Sequence, residues 1–354
     1  MHLLALPAAL SVLTYTSALP SISSSSSPKP LPLLIWHGLG DTHDAEGLHS
    51  VGSLAESIHP QTYTYYIRID DDSGEDRKAT FFGNLTAQVE KVCGDIQADP
   101  KLLDPTTGTI RVDALGFSQG GQFLRGLVQT CEGLSVRSLV TFGSQHNGIA
   151  ELKACGTWDL LCKGALALAR GNIWSAYVQS HVIPAQYFRS VNDTTGLGSE
   201  EYLSSSGWLA RMNNELEVKN STYKQRISEL ENFVMFIFEE DTTVIPKESG
   251  WFAEVNGTDG QVTELRERRM FKEDWLGLRE LDEKGGLVFE TTEGEHMQLD
   301  EEVLRRTFGR YFGPERRVGR ASVEKESIEC VERSWVAWFG GLLEMGMERW
   351  HAGL

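Results

Sequence analysis

The sequence predicts an α/β fold with a mostly parallel central sheet, helices on both faces and a helical cap insertion. Two runs, 33–36 and 233–238, are apolar without alternation, which is typical of strands buried on both faces of a parallel sheet. Residues 110–128 combine a β-type run, a glycine-bounded turn and an apolar helical pattern. The chain has 354 residues, enough for one large domain, which we place at 31–313.

The N-terminal residues 1–18 have the pattern of a secretory signal peptide. An apolar core at 3–13 precedes the small residues Thr16, Ser17 and Ala18, although no Lys or Arg stands before the core. The core is too short to span a bilayer. Residues 19–30 then form a Ser/Pro-rich linker, and we exclude both segments from the fold.

The first predicted strand, 33–36, ends in the loop His37-Gly38-Leu39-Gly40-Asp41. Glycine reaches backbone conformations that other residues avoid, so this loop can turn its amides inward. We expect His37 to be a structural hydrogen-bonding residue of the loop.

The sequence at 116–120 is Gly-x-Ser-x-Gly, between a β-type run and an apolar helical pattern. Small residues at Gly116 and Gly120 let strand and helix approach closely, and the serine then projects at the N-terminus of the helix. A plain surface turn is the alternative, but the strand and helix on either side favour a nucleophile elbow. We therefore predict the α/β-hydrolase fold, with Ser118 as the nucleophile. Its oxyanion would be bound by the backbone N–H groups of Gln119 and Leu39.

The general base should follow the nucleophile and the acid in chain order. His146 comes too early, His181 lies in an insertion without a preceding strand, and His351 is in the terminal tail. His296 follows the strand-like run 287–293, so we predict that it is the base. A surface histidine among acidic neighbours is the alternative.

The acid should lie at the end of the strand before that histidine. The apolar run 233–238 leads into Glu239, Glu240 and Asp241. Asp241 is our prediction because it clears the strand and enters the loop, and Glu240 is the alternative.

A helical cap is predicted at about 148–231, where the sequence has no strand signal. Its aromatic residues could line a groove for a long apolar chain or pack the cap onto the core. They are Trp158, Trp174, Tyr177, Tyr187 and Trp208, and Trp251 and Phe252 could serve either purpose.

Seven segments together resemble the palmitoyl-protein thioesterase family. They are 37–41, 99–102, 116–125, 145–148, 249–252, 276–282 and 292–299, and the resemblance runs from about 31 to 312. It implies an enzyme that removes long-chain fatty acyl groups from cysteine thioesters. It places the nucleophile on Ser118, the acid on Asp241, the base on His296 and the oxyanion amides on Leu39 and Gln119.

The chain departs from the family in two places. Family members have methionine where this chain has Leu39, a harmless change if only the backbone acts there. They also have two adjacent cysteines where this chain has Thr42-His43-Asp44.

The five cysteines predict two disulfides in an oxidising compartment. Cys155 and Cys162 are close enough in sequence to close one small loop. Cys93 and Cys131 then pair by elimination, which the family pattern also suggests, and Cys330 is the odd thiol.

Secretory passage is also favoured by Asn-x-Ser/Thr sequons at Asn84, Asn192, Asn220 and Asn256. We expect glycosylation and a location in the lysosome or vacuole, or outside the cell.

The net charge of −17 argues against nucleic acid or an anionic membrane as the primary partner. No zinc-ligand spacing or phosphate-binding glycine loop is present, so we expect no metal or cofactor, and no transmembrane segment. Residues 314–354 form an extension whose stretch 334–351 is amphipathic but not a membrane span. Its role is open.

The sequence thus predicts a serine thioesterase that acts on S-acylated proteins or peptides and on long-chain acyl thioesters. The alternatives are a lipase or carboxylesterase that uses the same triad on oxoesters, and a catalytically silent fold that binds lipid.

Overall fold

The computed structural model describes residues 29–157 and 159–315. The predicted signal peptide, residues 19–28 of the linker, Trp158, and residues 316–354 with Cys330 lie outside the described residues. Within the described part, no helix is both long and apolar enough to cross a membrane.

The strands of the described part are, in chain order, β1 (Leu33–Trp36), β2 (Thr64–Tyr66), β3 (Ile110–Phe117), β4 (Leu134–Phe142), β5 (Val191–Asn192), β6 (Leu197–Gly198), β7 (Asn232–Phe238), β8 (Glu254–Val255), β9 (Val262–Thr263) and β10 (Leu287–Thr292). The α-helices are α1 (Glu46–Ile58), α2 (Ser73–Ala79), α3 (Leu85–Ala98), α4 (Gln119–Thr130), α5 (Leu160–Gly171), α6 (Ala176–His181), α7 (Ile183–Gln186), α8 (Glu200–Ser205), α9 (Leu209–Met212), α10 (Ser221–Ser228), α11 (Arg269–Lys272), α12 (Leu278–Glu283) and α13 (Glu301–Tyr311). Short 3₁₀ helices lie at Lys247–Trp251 and Leu265–Glu267.

Six strands form the central sheet in the order β10-β7-β4-β3-β1-β2. Every pairing in it is parallel, so the carboxyl ends of all six strands lie at one edge. The predicted α/β class with a parallel sheet is confirmed.

Both faces of the sheet are buried, which explains why its strands are apolar without alternation. Leu34 and Trp36 of β1 belong to the core on one face, with residues of α3 and α4. Leu33 and Ile35 belong to the core on the other face, with residues of α1 and α13. The sheet therefore lies between two helical layers, and this packing fixes the positions of the carboxyl ends of its strands.

The predicted cap lies between β4 and β7 and contains α5 to α10. It differs from the prediction in one respect, because β5 and β6 form a small antiparallel hairpin. Each strand has two residues, and the turn is made by Gly196 in a left-handed conformation (φ 66°) and by the side chain of Asn192, which accepts from the N–H groups of Thr194 and Thr195. Such short strands leave no alternating pattern in the sequence.

Two disulfides fasten helices at their ends. Cys93 of α3 is bonded to Cys131, the residue that caps α4, and Cys155 is bonded to Cys162 in the first turn of α5. The pairs are those expected from the sequence. The second disulfide fixes the start of α5 above the carboxyl edge of the sheet.

Candidate active site

Ser118 occupies the sharp turn between β3 and α4. Its φ of 51° lies in the left-handed region, which non-glycine residues rarely adopt and which here marks a strained position. A Cβ on Gly116 would lie 2.3 Å from the Cα of Gly121, and one on Gly120 would lie 2.3 Å from the carbonyl oxygen of His37. Both positions therefore require glycine, because the strand, the turn and the loop at 37–41 meet there without space for a side chain.

Three side chains from different strand ends meet at Ser118. The Ser118 hydroxyl donates to Nε2 of His296 at 2.9 Å, and Nδ1 of His296 donates to Oδ2 of Asp241 at 2.7 Å. Asp241 follows β7, and His296 follows β10. The alternative acid Glu240 is exposed and takes no part in this chain of hydrogen bonds. The arrangement is that of a nucleophile, a base and an orienting acid.

Asp241 is held in its ionised form. Burial alone would raise the pKa of its carboxyl, but the hydrogen bond from His296 and those from the backbone of Val244 and Thr243 lower the pKa below its ordinary value. The backbone donors lie 3.0 and 2.8 Å from Oδ1. They fix the carboxylate so that Oδ2 faces the imidazole.

The loop at 37–41 lies against Ser118. A Cβ on Gly38 would be 3.2 Å from the Cβ of Ser118, so the backbone of this loop passes directly beside the serine. Gln119 begins α4, where the first N–H groups of a helix have no partner within the helix. The backbone amides of Leu39 and Gln119 are thus both close to Ser118.

A buried carboxylate that the sequence did not single out anchors this loop. Asp76 of α2 is fully buried. Its Oδ2 accepts from Nε2 of His37 at 3.1 Å and from both the backbone N–H and Nδ1 of His43 at 3.0 Å, and its Oδ1 accepts from the N–H of Ile69 at 2.7 Å. Burial would raise the pKa of Asp76, but these hydrogen bonds hold it well below its ordinary value.

Two further contacts tie the loop to α2 and its end. The N–H of Gly40 donates to Oγ1 of Thr80 at 2.9 Å, and Nε of Arg77 donates to the carbonyl oxygen of Gly40 at 2.9 Å. His37, through its hydrogen bond to Asp76, has the structural role in this loop that the sequence led us to expect. No local sequence signal marks Asp76, Arg77 or Thr80, because α2 is a short helix of mostly polar residues.

The Gln119 side chain links the Ser118 turn to the predicted cap. Its Nε2 donates to the carbonyl oxygen of Thr80 at 3.2 Å, and its Oε1 accepts from the hydroxyl of Tyr187 at 3.0 Å. Gln119 and Tyr187 are both buried. The turn, the end of α2 and the cap are thereby joined by one short hydrogen-bonded path.

A mostly apolar cavity of about 590 Å³ opens at Ser118 and His296. The cap contributes mainly small and aliphatic residues to its wall, namely Ile149, Leu152, Cys162, Ala165, Leu166, Ala169 and Pro184. Of the cap aromatics in the described part, only Tyr187 lines it. Trp174 packs on Phe188 and Tyr202, and Trp208 packs on Phe123. Of the two roles that the sequence left open for the cap aromatics, packing within the fold therefore applies to Trp174 and Trp208, and the wall that the cap gives the cavity is mainly aliphatic.

The remaining residues singled out in the sequence have local roles. Nε2 of the fully buried His146 is paired with Oγ1 of Thr141, and Trp251 packs on Phe289. Among the sequons, Asn84 and Asn220 cap α3 and α10, while Asn192 and Asn256 form turns. The side chains of Asn84, Asn192 and Asn220 are exposed, and Asn256 is half-buried.

A serine at a strand–helix turn of a parallel sheet, followed in chain order by its acid and its histidine, defines an α/β-hydrolase. Residues 32–296 match the family described as palmitoyl protein thioesterase. The chain belongs to the palmitoyl-protein thioesterase family, and the resemblance found in the sequence is confirmed.

Individual relatives agree with this assignment. Palmitoyl-protein thioesterase 1 of Caenorhabditis elegans is 33% identical over 278 residues, covering 78% of this chain and 89% of the relative. Palmitoyl-protein thioesterase 3 of Dictyostelium discoideum is 29% identical, covering 75% and 84%. The Schizosaccharomyces pombe protein named palmitoyl-protein thioesterase-dolichyl pyrophosphate phosphatase fusion 1 is 36% identical over 76% of this chain, which spans only 41% of that relative's length.

The similarity to solved structures is much weaker. Est1E from Butyrivibrio proteoclasticus matches 80% of this chain and 87% of its own at 11% identity, with a TM-score of 0.39.

Proposed function

We propose that this chain is a serine thioesterase that removes long-chain fatty acyl groups, such as palmitoyl, from cysteine residues of lipidated proteins. One observation carries the proposal: Ser118 and His296, hydrogen-bonded to each other and through His296 to Asp241, line a mostly apolar cavity of about 590 Å³ in a chain of the palmitoyl-protein thioesterase family.

Acylation of the enzyme follows from the geometry. The Ser118 hydroxyl attacks the thioester carbonyl carbon while His296 Nε2 takes its proton, and the amides of Leu39 and Gln119 bind the oxygen that becomes negative. The C–S bond then breaks, and His296 returns the proton to the departing thiolate. Asp241 holds the imidazole in orientation and stabilises its positive charge.

Deacylation repeats these steps with water. His296 takes a proton from the water molecule, which attacks the carbonyl carbon of the acyl-serine. The collapse of the second intermediate returns the proton to Ser118 and releases the fatty acid. The reaction needs no metal or organic cofactor.

The cavity supports a long acyl chain as substrate. Its volume lies in the range of ligand pockets, and its wall at the cap is aliphatic. Each methylene group that leaves water contributes about 0.8 kcal/mol, so affinity should rise steadily with chain length until the cavity is full. With the resemblance to the palmitoyl-protein thioesterase family, which implies long acyl chains, this leads us to expect a preference for about fourteen to eighteen carbons.

Two other functions use the same fold. A lipase or carboxylesterase would cleave oxoesters with this triad, and a silent fold would bind lipid without turnover. The hydrogen-bonded triad argues against the silent fold. We expect the site to cleave a thioester faster than an oxoester, because a thiolate leaves more easily than an alkoxide and needs less help from a general acid.

We also propose a secretory-pathway location, in the lysosome or vacuole or outside the cell, with S-acylated proteins as partners. Relatives include the Drosophila melanogaster protein named lysosomal thioesterase PPT2 homolog, which is 28% identical. The two disulfides and the exposed sequon asparagines support passage through an oxidising, glycosylating compartment.

The decisive assay compares kcat/KM on a palmitoyl-cysteine peptide thioester, its matched serine oxoester and emulsified triglyceride. We expect the thioester to be the fastest and triglyceride to be almost inert. Faster cleavage of the oxoester, or a jump in rate at the lipid–water interface, would refute the thioesterase proposal.

Variants test the assigned roles. Ser118→Ala and His296→Ala should each lower kcat by at least about 1,000-fold, and the double variant should be no worse, because the two residues act as one unit. Asp241→Asn should be damaging, while its neighbour Glu240→Gln serves as the control and should be close to wild type. The opposite order would move the acid to Glu240.

A further inference from the structure

The active-site cavity is apolar on two sides of Ser118, and the two sides belong to different parts of the fold. One side, the α5 arm, includes Phe81, Ala165 and Ala169, which share a hydrophobic cluster with α6 and α7. The other side, the α1 arm, is formed by Gly47, Leu48 and Val51 of α1 with Met297 and Leu299. The leucine and valine of α1 pack in the core between the sheet and α13.

The position of the α1 arm relative to the histidine indicates what it holds. Met297 and Leu299 follow His296 directly in the chain and line the same cavity. His296 Nε2 is the atom that gives a proton to the departing thiol, so the leaving group must lie on the side of the imidazole. The reacting carbonyl carbon carries the sulfur on one side and the acyl chain on the other. The acyl chain therefore points away from this arm.

We propose that the α1 arm is a leaving-group subsite that binds an aliphatic side chain next to the acylated cysteine of a protein substrate. The inference rests on the proposed thioesterase function and adds a substrate class to it, namely S-acyl peptides with Leu, Ile, Val or Met beside the cysteine. None of the residues that form the arm is charged. Leu48 and Val51 are already packed in the folded protein, so the apolar surface is preformed.

Gly47 offers a way to fill this arm without disturbing the core. It is exposed, and a Cβ added there would meet no atom within 4 Å. Gly47→Phe should therefore place an aromatic ring in the α1 arm while the protein keeps its stability. Gly94 of α3 is the matched control, because it is also an exposed helical glycine with open space around its Cβ and lies outside the cavity.

The test measures kcat/KM on two palmitoyl peptides that differ only in having Leu or Gly beside the acylated cysteine. We expect wild type to favour the Leu peptide about tenfold, as partial burial of one aliphatic side chain predicts. Gly47→Phe should abolish this preference, and Gly94→Phe should retain it. On thioesters of N-acetylcysteamine, which has no side chain for the arm, Gly47→Phe should keep the palmitoyl over octanoyl selectivity of wild type.

Equal rates of wild type on the Leu and Gly peptides would overturn the inference. So would a Gly47→Phe variant that loses palmitoyl over octanoyl selectivity on N-acetylcysteamine thioesters, because the α1 arm would then hold the acyl chain. Absence of turnover by wild type on every thioester would refute the thioesterase proposal itself. The N-acetylcysteamine series therefore separates the two failures.

Discussion

Asp76 lies outside the catalytic residues, and its replacement by asparagine should nevertheless slow catalysis. In Asp76→Asn the Oδ1 position can still accept from Ile69, but an NH₂ group replaces Oδ2. Three donors from His37 and His43 then lose their acceptor in a fully buried place. Removing one partner from a buried charged cluster destabilises a protein by about 3 to 5 kcal/mol. We expect the free energy of unfolding of Asp76→Asn to fall by about this amount.

The kinetic effect follows from the anchored loop. Loss of one oxyanion donor lowers kcat by about 10² to 10³. In Asp76→Asn the amide of Leu39 is displaced rather than removed, so we expect kcat to fall by about 10- to 100-fold. KM should change little, because Asp76 does not line the cavity.

The measurement is steady-state kinetics on a soluble palmitoyl thioester together with urea unfolding. Asp71→Asn, at an exposed carboxylate that pairs with Arg68 instead of the loop, is the control and should resemble wild type. If Asp76→Asn does not fold, His43→Ala gives a milder version, because it removes only the imidazole Nδ1 donor and keeps the backbone N–H that also contacts Asp76. An unchanged kcat in a destabilised Asp76→Asn would show that the loop holds its place without this carboxylate.

The same residue gives stability a definite pH dependence. The pKa of Asp76 is lower in the folded protein than the ordinary value of about 4, so the unfolded chain binds the proton more readily. The stability that ionised Asp76 gives the fold is fully present above about pH 4, and it is lost as the pH falls toward the lower pKa of the folded state. Between about pH 5 and about pH 3, wild type should therefore lose unfolding free energy more steeply than Asp76→Asn.

Three further predictions concern the cavity, the disulfides and the extension. Ala169→Leu should cut the palmitoyl over octanoyl ratio of kcat/KM at least about tenfold, whereas Ala167→Leu on the exposed face of α5 should not; equal ratios would place the acyl chain elsewhere. Cys93→Ser, which opens a loop with a sequence separation of 38, should cost about 4 kcal/mol of unfolding free energy, against about 2 kcal/mol for Cys155→Ser with a separation of 7; reversed values in denaturant titrations would contradict the chain-entropy argument. Truncation after residue 317 should leave kcat/KM unchanged, since the triad, both amides and the cap precede it, and a lower value would give the extension a part in catalysis.

Much of the site could be anticipated because its constraints are local or follow from chain order. Gly116 and Gly120 indicate a close approach of strand and helix around Ser118. Parallel strands bring their carboxyl ends to one edge of the sheet, so Ser118, Asp241 and His296 could be expected there together. The structure brings the three side chains together there, and their catalytic roles are our proposal.

The supporting contacts could not be anticipated, because they depend on tertiary packing. Asp76 stands in a strongly acidic stretch that looks solvated, and only the approach of α2 to the loop at 37–41 buries it. The cap aromatics gave no sign of whether they face the cavity or the core. That choice depends on how α5 to α9 pack, which a sequence period of 3.6 residues does not determine.

Helix α5 has an unusual position between two environments. Only Ala165 and Ala169 of its residues are buried, and both line the cavity, while Leu160 and Leu168 are exposed. The helix therefore makes few packing contacts with the rest of the protein, and an acyl chain in the cavity would add apolar contacts to its buried face. Fatty acyl ligands should raise the melting temperature and slow amide hydrogen exchange in α5 first, because the ligand completes a small core that the polypeptide leaves unfinished.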